Sequence, residues 1–292
     1  MVRLAMILPV KSAWVGSFRP QKSFIWRQKL DLEYHFASRT RPNSPTLDVI
    51  VSLTSFPKRL KYLHLVVKSL LINTVPPKKI VLYLDASEMA GHALPGSLSN
   101  LQGDVFEIRF VPHGFRSFSK LVHALVDFPD QNILTVDDDY LYDRQFLRHF
   151  QPYLHRNDVK VISGNGRIMS TESGTAYRDW RLEISGRSRH GMVLGYTGVL
   201  YKPKALSPLV LDASLFQDLC PHNDDVWFTC CAYLNGIAEI HFAGVPTNRN
   251  KEIHFPNSPR LMDQNLNGRL EQELHNVIRR FSLTGFFLDR AS

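Results

Sequence analysis

The stretch Asn132-Ile133-Leu134-Thr135-Val136-Asp137-Asp138-Asp139-Tyr140-Leu141-Tyr142 decides how this chain is read. Ile133 to Val136 is a short apolar, β-branched run, the pattern of a strand buried on both faces. It stops at three consecutive carboxylates, Asp137, Asp138 and Asp139. In an open α/β sheet, ligands bind outside the carboxyl ends of the strands. Acids gathered there repel one another unless something positive sits between them. A divalent cation is the economical partner. Mg²⁺ and Mn²⁺ prefer hard oxygen ligands and are commonly held by one or two carboxylates together with substrate phosphates. If strand geometry continues through the acids, Asp137 and Asp139 share a side and Asp138 points away. The bland alternative is a solvated acidic turn.

Upstream of this stretch the chain alternates strands and helices. Asp48–Leu53 reads as a first strand, followed by the loop Thr54-Ser55-Phe56-Pro57-Lys58-Arg59. Leu60–Asn73 carries Leu60, Leu63, Val66, Val67, Leu70 and Leu71 at helical spacing, and Pro76-Pro77 stops it. Lys79–Leu84 is a second strand ending at Asp85, Val105–Val111 a third, and Ser117–Val126 a helix. Between them, residues 86–103 read as loop with one short helix. A strand–helix–strand succession implies right-handed βαβ units and a parallel sheet. Downstream the order is less regular. Asp143–Leu154 reads as a helix, Val159–Ser163 as a strand, and residues 164–190 as a long polar, basic loop facing substrate. Met192–Tyr201 holds a Gly-lined turn, Gly195 to Gly198. Residues 221–235 form a helix with Asp224 and Asp225 in its first turn, ended by Asn235-Gly236. Glu239–Phe242 is a short strand. The end is helical, with Leu270, Leu274, Val277, Ile278 and Phe281 on one face.

Composition sets the outer bounds. At 292 residues the chain can bury a large core. The division expected is a basic extension, 1–45, and one α/β domain, 46–292. Three cysteines, Cys220, Cys230 and Cys231, give no disulfide framework and no zinc-knuckle spacing, which points to a reducing, cytoplasmic setting. No run of eighteen apolar residues marks a membrane span, and the brief apolar start has no cleavage site behind it, so no signal peptide is read. The net charge of +8 suggests an anionic partner: a phosphate-bearing substrate, an acidic membrane surface or nucleic acid. Met1 to Ser44 alone holds eight Lys or Arg against two acids. This start is either a solvated arm or a peripheral contact with a membrane surface. Its aromatics and bases lack any RNA- or DNA-binding signature, and nucleic acid is not expected as a partner.

The order of these features resembles the nucleotide-sugar-dependent glycosyltransferases of the GT-A fold, with the nearest look to bacterial polysaccharide-type transferases and a weaker echo of exostosin-like ones. The features that carry the resemblance are Asp48–Arg59, Asp85, Lys120, Thr135–Asp139, Gly195–Tyr201 and Asn223–Phe228, spanning roughly residues 47–255. It implies a GT-A-like, Rossmann-like mixed and mainly parallel sheet flanked by helices. It implies transfer of a hexosyl or N-acetylhexosaminyl group from a nucleotide-diphosphate sugar, a UDP-sugar above all, to a glycan or lipid-linked acceptor in polysaccharide biosynthesis. Mn²⁺ or Mg²⁺ would be held by Asp137 and Asp139, with His254 completing the shell. Thr54, Phe56, Arg59, Asp85, Lys120, Asp137 and Asp138 would bind the donor, Arg59 and Lys120 through its phosphates and Asp85 through the base. Asp225 would be the catalytic base, with Asp224 positioning acceptor or donor sugar, and the Gly195–Gly198 turn would let the backbone approach the sugar. Each has an ordinary counterpart: a surface base for Arg59 and Lys120, a turn or cap for Asp85, a structural histidine for His254, dipole-favoured capping for Asp224 and Asp225. The alternatives are a nucleotidyltransferase of related sheet, against which the glycine-free loop 54–59 speaks, and a non-catalytic glycan- or RNA-binding protein.

Overall fold

The computed structural model describes residues 28–35, 46–170, 175–247, 251–253, 255 and 268–283. In chain order these form helix α1 (28–35), β1 (Leu47–Thr54), α2 (Leu60–Leu71), β2 (Pro77–Asp85), α3 (Gly96–Ser99), β3 (Phe106–Val111), α4 (Ser119–Asp127), β4 (Ile133–Thr135) and β5 (Tyr140–Leu141). There follow β6 (Val161–Ser163), β7 (Gly166–Ile168), β8 (Arg181–Glu183), β9 (Ser185–Ser188), β10 (Gly191–Val193) and β11 (Val199–Tyr201). The last are α5 (Ala213–Leu219), α6 (Asp224–Leu234), β12 (Ile240–Ala243), β13 (Lys251–Glu252) and α7 (Leu270–Phe281).

The main sheet runs β3-β2-β1-β4-β11-β6-β12-β9. Its first four strands are parallel, as the βα alternation requires. Strand β11 then enters reversed, antiparallel to both β4 and β6, while β12 is again parallel to β6. This is the mixed, mainly parallel sheet that the sequence implied. The reversal matters for function. Val199 lies opposite Thr135, so the turn before β11 arrives at the same edge of the sheet as the acids after β4.

The period of two sorts the strands onto two cores. Val49, Val51 and Leu53, Leu82 and Leu84, Leu134 and Leu200 face one side, with Leu63, Val66, Val67 and Leu70 of α2. Ile50, Val81 and Tyr83, Ile133, Val199 and Tyr201 face the other, with Leu121 of α4 and Trp227 and Phe228 of α6. Both sides of the sheet are therefore covered, and burial at roughly 25 cal/mol per Å² of apolar surface is the main stabilising term. Two buried polar links fix how the helices sit. Ser52 Oγ donates to the carbonyl of Lys120 at 2.5 Å, tying α4 to β1. Asn73, fully buried, donates to Ser69 O at 3.0 Å and accepts from Leu147 N at 2.9 Å, tying the end of α2 to the segment after β5.

Two expectations fail for physical reasons. Asp143–Leu154 is not one α-helix but two 3₁₀ turns, Phe146–His149 and Gln151–Tyr153. Pro152 has no N–H to donate and its ring obstructs the preceding turn. Residues 164–190 are not a single loop. Among the described residues, β7 pairs antiparallel with β8 and with β10, and β9 pairs with β12. Strands of three or four residues are too short to show a period, so they read as polar coil.

Gly198 is a turn residue at which both backbone and space call for glycine. It has φ +80°, and a Cβ there would lie 2.6 Å from Phe146 Cζ and 3.3 Å from Phe150 Cζ. Both rings are buried. Gly198→Ala is expected to lower stability by about 1–3 kcal/mol, from left-handed strain and overpacking together. The shift in urea midpoint at unchanged m-value measures it.

Candidate functional site

The carboxyl ends of β1 and β4 meet the amino ends of β11 and α6, and five carboxylates meet there with two bases. Their centre is Lys120, in the first turn of α4. Its side chain is only 4% exposed, and Nζ lies 2.6 Å from Asp137 Oδ1 and 2.9 Å from Asp224 Oδ2. The first contact is an aligned hydrogen bond; the second is an ion pair without that alignment. Burial disfavours the ammonium, but Asp137, Asp224 and Asp225 outweigh it and hold the lysine well above its ordinary range. Read from sequence alone, Lys120 had an ordinary surface lysine as its counterpart. The structure makes it the bridge between the acids after β4 and those opening α6.

Asp225 sits across this bridge. Both of its oxygens accept from the backbone N–H of Gly195, at 3.1 and 2.9 Å. A Cβ on Gly195 would come within 2.9 Å of both Asp225 Oδ1 and Lys120 Nζ, and 3.4 Å of Asp137 Oδ1. The Gly-lined turn does bring the backbone into close approach, and what it approaches here is this carboxylate and lysine. Burial, then the charge of Asp224, pushes the Asp225 carboxyl up to about 8 against the pull of Lys120.

The other acids are arranged differently from the strand expectation. β4 ends at Thr135, and Asp138 and Asp139 lie in a turn, so alternation no longer applies. Asp138 does not point away to solvent. It is buried, with Oδ2 accepting from Ser55 Oγ at 2.6 Å and Oδ1 paired with Arg59. Arg59 also reaches Asp139 Oδ2 at 3.0 Å, and its guanidinium lies 5.3 Å from the ring centres of both Phe56 and Phe255. Burial disfavours that cation too, but Asp138 and Asp139 keep it above its usual range. Asp139 remains the least compensated acid of the turn. Burial raises it first, Arg59 opposes, and Asp138, Asp137 and Glu252 raise it further, to about 7. The side chains of Asp137 and Asp139 are 29% and 22% exposed.

Other residues singled out by sequence are already committed. Thr54 Oγ1 donates to Tyr83 O at 2.9 Å. Asp85 Oδ1 accepts from Ser87 N–H and hydroxyl at 2.7 and 2.6 Å, and Oδ2 from Gly114 N–H at 2.7 Å. Its slight burial works against ionisation, but these bonds hold the carboxyl below its usual value. His254 lies outside the described residues. Among the described residues no three His, Cys, Asp or Glu side chains are grouped to hold a metal ion.

Several contributors carried no signal that sequence reasoning used. Ser55 was part of the loop read after β1, but nothing marked its bond to Asp138. The Tyr142 hydroxyl accepts from Asp137 N–H at 2.8 Å and faces Asp137 O at 3.3 Å, bracing the acid turn from five residues on. Tyr140 and Tyr196 pack 5.3 Å apart between centres, a tyrosine from each side of the site. A strap, β13, pairs with β5, and Ile253 N–H donates to Asp139 O at 2.5 Å.

No protein-family model matches the chain, and no curated protein does. Solved structures similar in chain path include the mannosyltransferase PcManGT from Pyrobaculum calidifontis in complex with GDP-Man and Mn²⁺, at 13% identity and a TM-score of 0.49, covering 87% of this chain and 72% of that one. S. aureus TarS 1-349 is similar at 13% identity and a TM-score of 0.45, covering 84% and 76%. The same protein in complex with UDP gives 15% and 0.46, covering 84% and 74%. Among the described residues no helix is long and apolar enough to cross a membrane.

The charge imbalance has a measurable consequence. Asp225 binds its proton more tightly folded, near pH 8, than unfolded, near 4. Between these values the folded state holds the extra proton, so this group's contribution to stability falls as pH rises. Asp225→Asn removes that fall. The difference in melting temperature, variant minus wild type, is expected to grow from pH 5 to pH 8 and then level off. A difference that stays flat with pH is the contrary result.

Proposed function

We propose that this protein is a metal-dependent glycosyltransferase that moves a sugar from a nucleotide-diphosphate donor to a hydroxyl of a glycan or lipid-linked acceptor. The observation that carries this reading is the pair of carboxylate groups at one sheet edge, Asp137 with Asp139 and Asp224 with Asp225, joined through the buried Lys120. A donor diphosphate and an acceptor hydroxyl need different help, and the two groups differ accordingly. Asp137 and Asp139 are hard oxygen donors, partly exposed, in a cluster where two bases face five carboxylates. That donor set and surplus charge fit Mn²⁺ or Mg²⁺. When bound, such a cation supplies Lewis-acid neutralisation of the diphosphate.

The chain's own residues do the rest. Lys120 adds positive charge beside the leaving diphosphate, and Arg59 with Ser55 holds the acid turn in shape. Asp225 takes the proton from the acceptor hydroxyl as its oxygen bonds to the anomeric carbon and the bond from that carbon to the diphosphate oxygen breaks. This is a single displacement with inversion. Gly195 fixes the carboxylate's orientation through its N–H, and Asp224, held by Lys120, positions a sugar hydroxyl. A UDP-sugar is the donor we favour, and the 1–45 extension a basic arm in peripheral contact with a membrane where a lipid-linked acceptor would lie.

Two variants separate these roles. Asp139→Ala should remove the Mn²⁺-dependent rise in melting temperature produced by a nucleoside diphosphate, and transfer with it, while far-UV circular dichroism is unchanged. Asp225→Asn should keep that rise and lose transfer by roughly 10²–10⁴-fold. Full turnover in either variant overturns the corresponding assignment.

A further inference from the structure

Glu273 belongs to the first turn of α7 and is only 5% exposed. A buried carboxylate must be compensated, and among the described residues its hydrogen-bond partners are the two residues before α6. Oε1 faces His222 Nδ1 at 2.8 Å, and Oε2 accepts from Asn223 Nδ2 at 2.7 Å and from the His222 backbone N–H at 3.3 Å. This changes what Asn223 does. An asparagine directly before a helix ordinarily caps it, its side-chain oxygen accepting from the first-turn N–H groups. Asn223 makes no such bond, because its amide is turned onto Glu273. The helix entry is held from outside, and the next two residues are Asp224 and Asp225.

The same turn of α7 reaches the opposite wall. Glu271 Oε1 accepts from Tyr177 N–H at 2.5 Å. The Arg167 guanidinium lies over the Tyr177 ring at 4.6 Å, Trp180 meets that ring edge-on at 5.5 Å, and Tyr177 lies within electrostatic reach of Asp225. The helix is anchored by apolar packing, Leu274 and Val277 being buried and Phe281 lying 6.3 Å from Trp227. Acids are favoured at its N-terminal turn. One helix turn thus bonds both the entry of α6 and the segment that holds Tyr177.

We propose that Glu273 is a positioning residue of the transfer reaction, setting the carboxylates of Asp224 and Asp225 by clamping His222 and Asn223, with Glu271 fixing the loop across from them. This rests on the reading of Asp225 as the base. It deepens that reading by making α7 part of the acceptor side of the site, although α7 contributes none of the acids that face Lys120.

The test compares wild type with Glu273→Ala, Glu273→Gln and Asn223→Ser. Turnover is read as UDP or GDP released from UDP-glucose, UDP-N-acetylglucosamine and GDP-mannose with Mn²⁺, water taking the sugar in the acceptor's place, and nucleotide binding as the thermal shift with UDP or GDP. Glu273→Ala should lower kcat by about 10-fold or more, leaving donor KM and the nucleotide shift unchanged. Glu273→Gln should stay within about 3-fold of wild type, its oxygen accepting from Asn223 and its amide donating to Nδ1 of neutral His222. Asn223→Ser cuts the same link without emptying the core, so it keeps the test alive if Glu273→Ala does not fold. It should match Glu273→Ala, and the double variant should be no worse than either. Wild-type kcat in Glu273→Ala, or equal loss of nucleotide binding and kcat, overturns the proposal. Should the wild type release no nucleotide and show no thermal shift with UDP or GDP, the transfer reading fails and amide exchange at residues 224–227 decides the clamp. Exchange about 10-fold faster in Glu273→Ala keeps it, and equal rates refute it.

Discussion

A lysine shut between carboxylates is the constraint on which the rest of this site depends. An ammonium taken out of water costs several kcal/mol, and only well-placed anions offset that. Lys120 has its anions from elements far apart in the chain: Asp137 from the end of β4, Asp224 from the start of α6, with Asp225 close behind. None of these is local to α4. The arrangement holds only because the sheet brings β1 and β4 side by side in parallel, the reversed β11 returns its leading turn to the same edge, and Ser52 pins the carbonyl of Lys120 to β1. Remove the reversal of β11 and Gly195 no longer meets Asp225; lengthen its side chain and the same meeting is blocked.

The site is under-neutralised as it stands. Two bases serve five carboxylates, and the surplus shows in the direction of both Asp139 and Asp225, which hold their protons beyond the ordinary carboxyl range. A protein built for stability alone would replace some of these acids, since unpaired buried charge is among the most destabilising features a fold can carry. Retaining them makes sense where charge arrives from outside, as it does with a metal-bound diphosphate. The tension between stability and a ligand's needs is a general property of catalytic sites.

Much of this was legible in the residues, for reasons that also explain where reading stopped. β1, β2, β4 and α2 announce themselves because each is buried on one or both faces, and burial writes apolar runs or helical spacing into the sequence. Asp137, Lys120 and Asp225 stood out by their place in that order, and the structure brings all three together. Asp138 would point away only if strand geometry ran on through the acids, and β4 ends at Thr135, before the turn that holds it. The strands between residues 164 and 190 stayed hidden because three residues cannot display a period. Pro152, in the middle of the span Asp143–Leu154, lacks the N–H that one continuous helix needs there.

The hardest feature to read was the role of α7. Its apolar face was plain, but the acids on its first turn look like ordinary dipole-matched residues. Their partners lie about fifty residues or more away in sequence: Glu273 meets His222 and Asn223, and Glu271 meets Tyr177. A pairing of that span leaves no local trace; only the unused capping potential of Asn223 hints at it, and that is visible only once the helix start is fixed. The acids of the β4 turn are therefore written in short-range pattern, following a buried strand, while the setting of Asp224 and Asp225 is assembled from long-range contacts between loops and one late helix. A helix that packs on α6 through Phe281 against Trp227 and clamps its entry through Glu273 couples the stability of the core to the aim of Asp224 and Asp225.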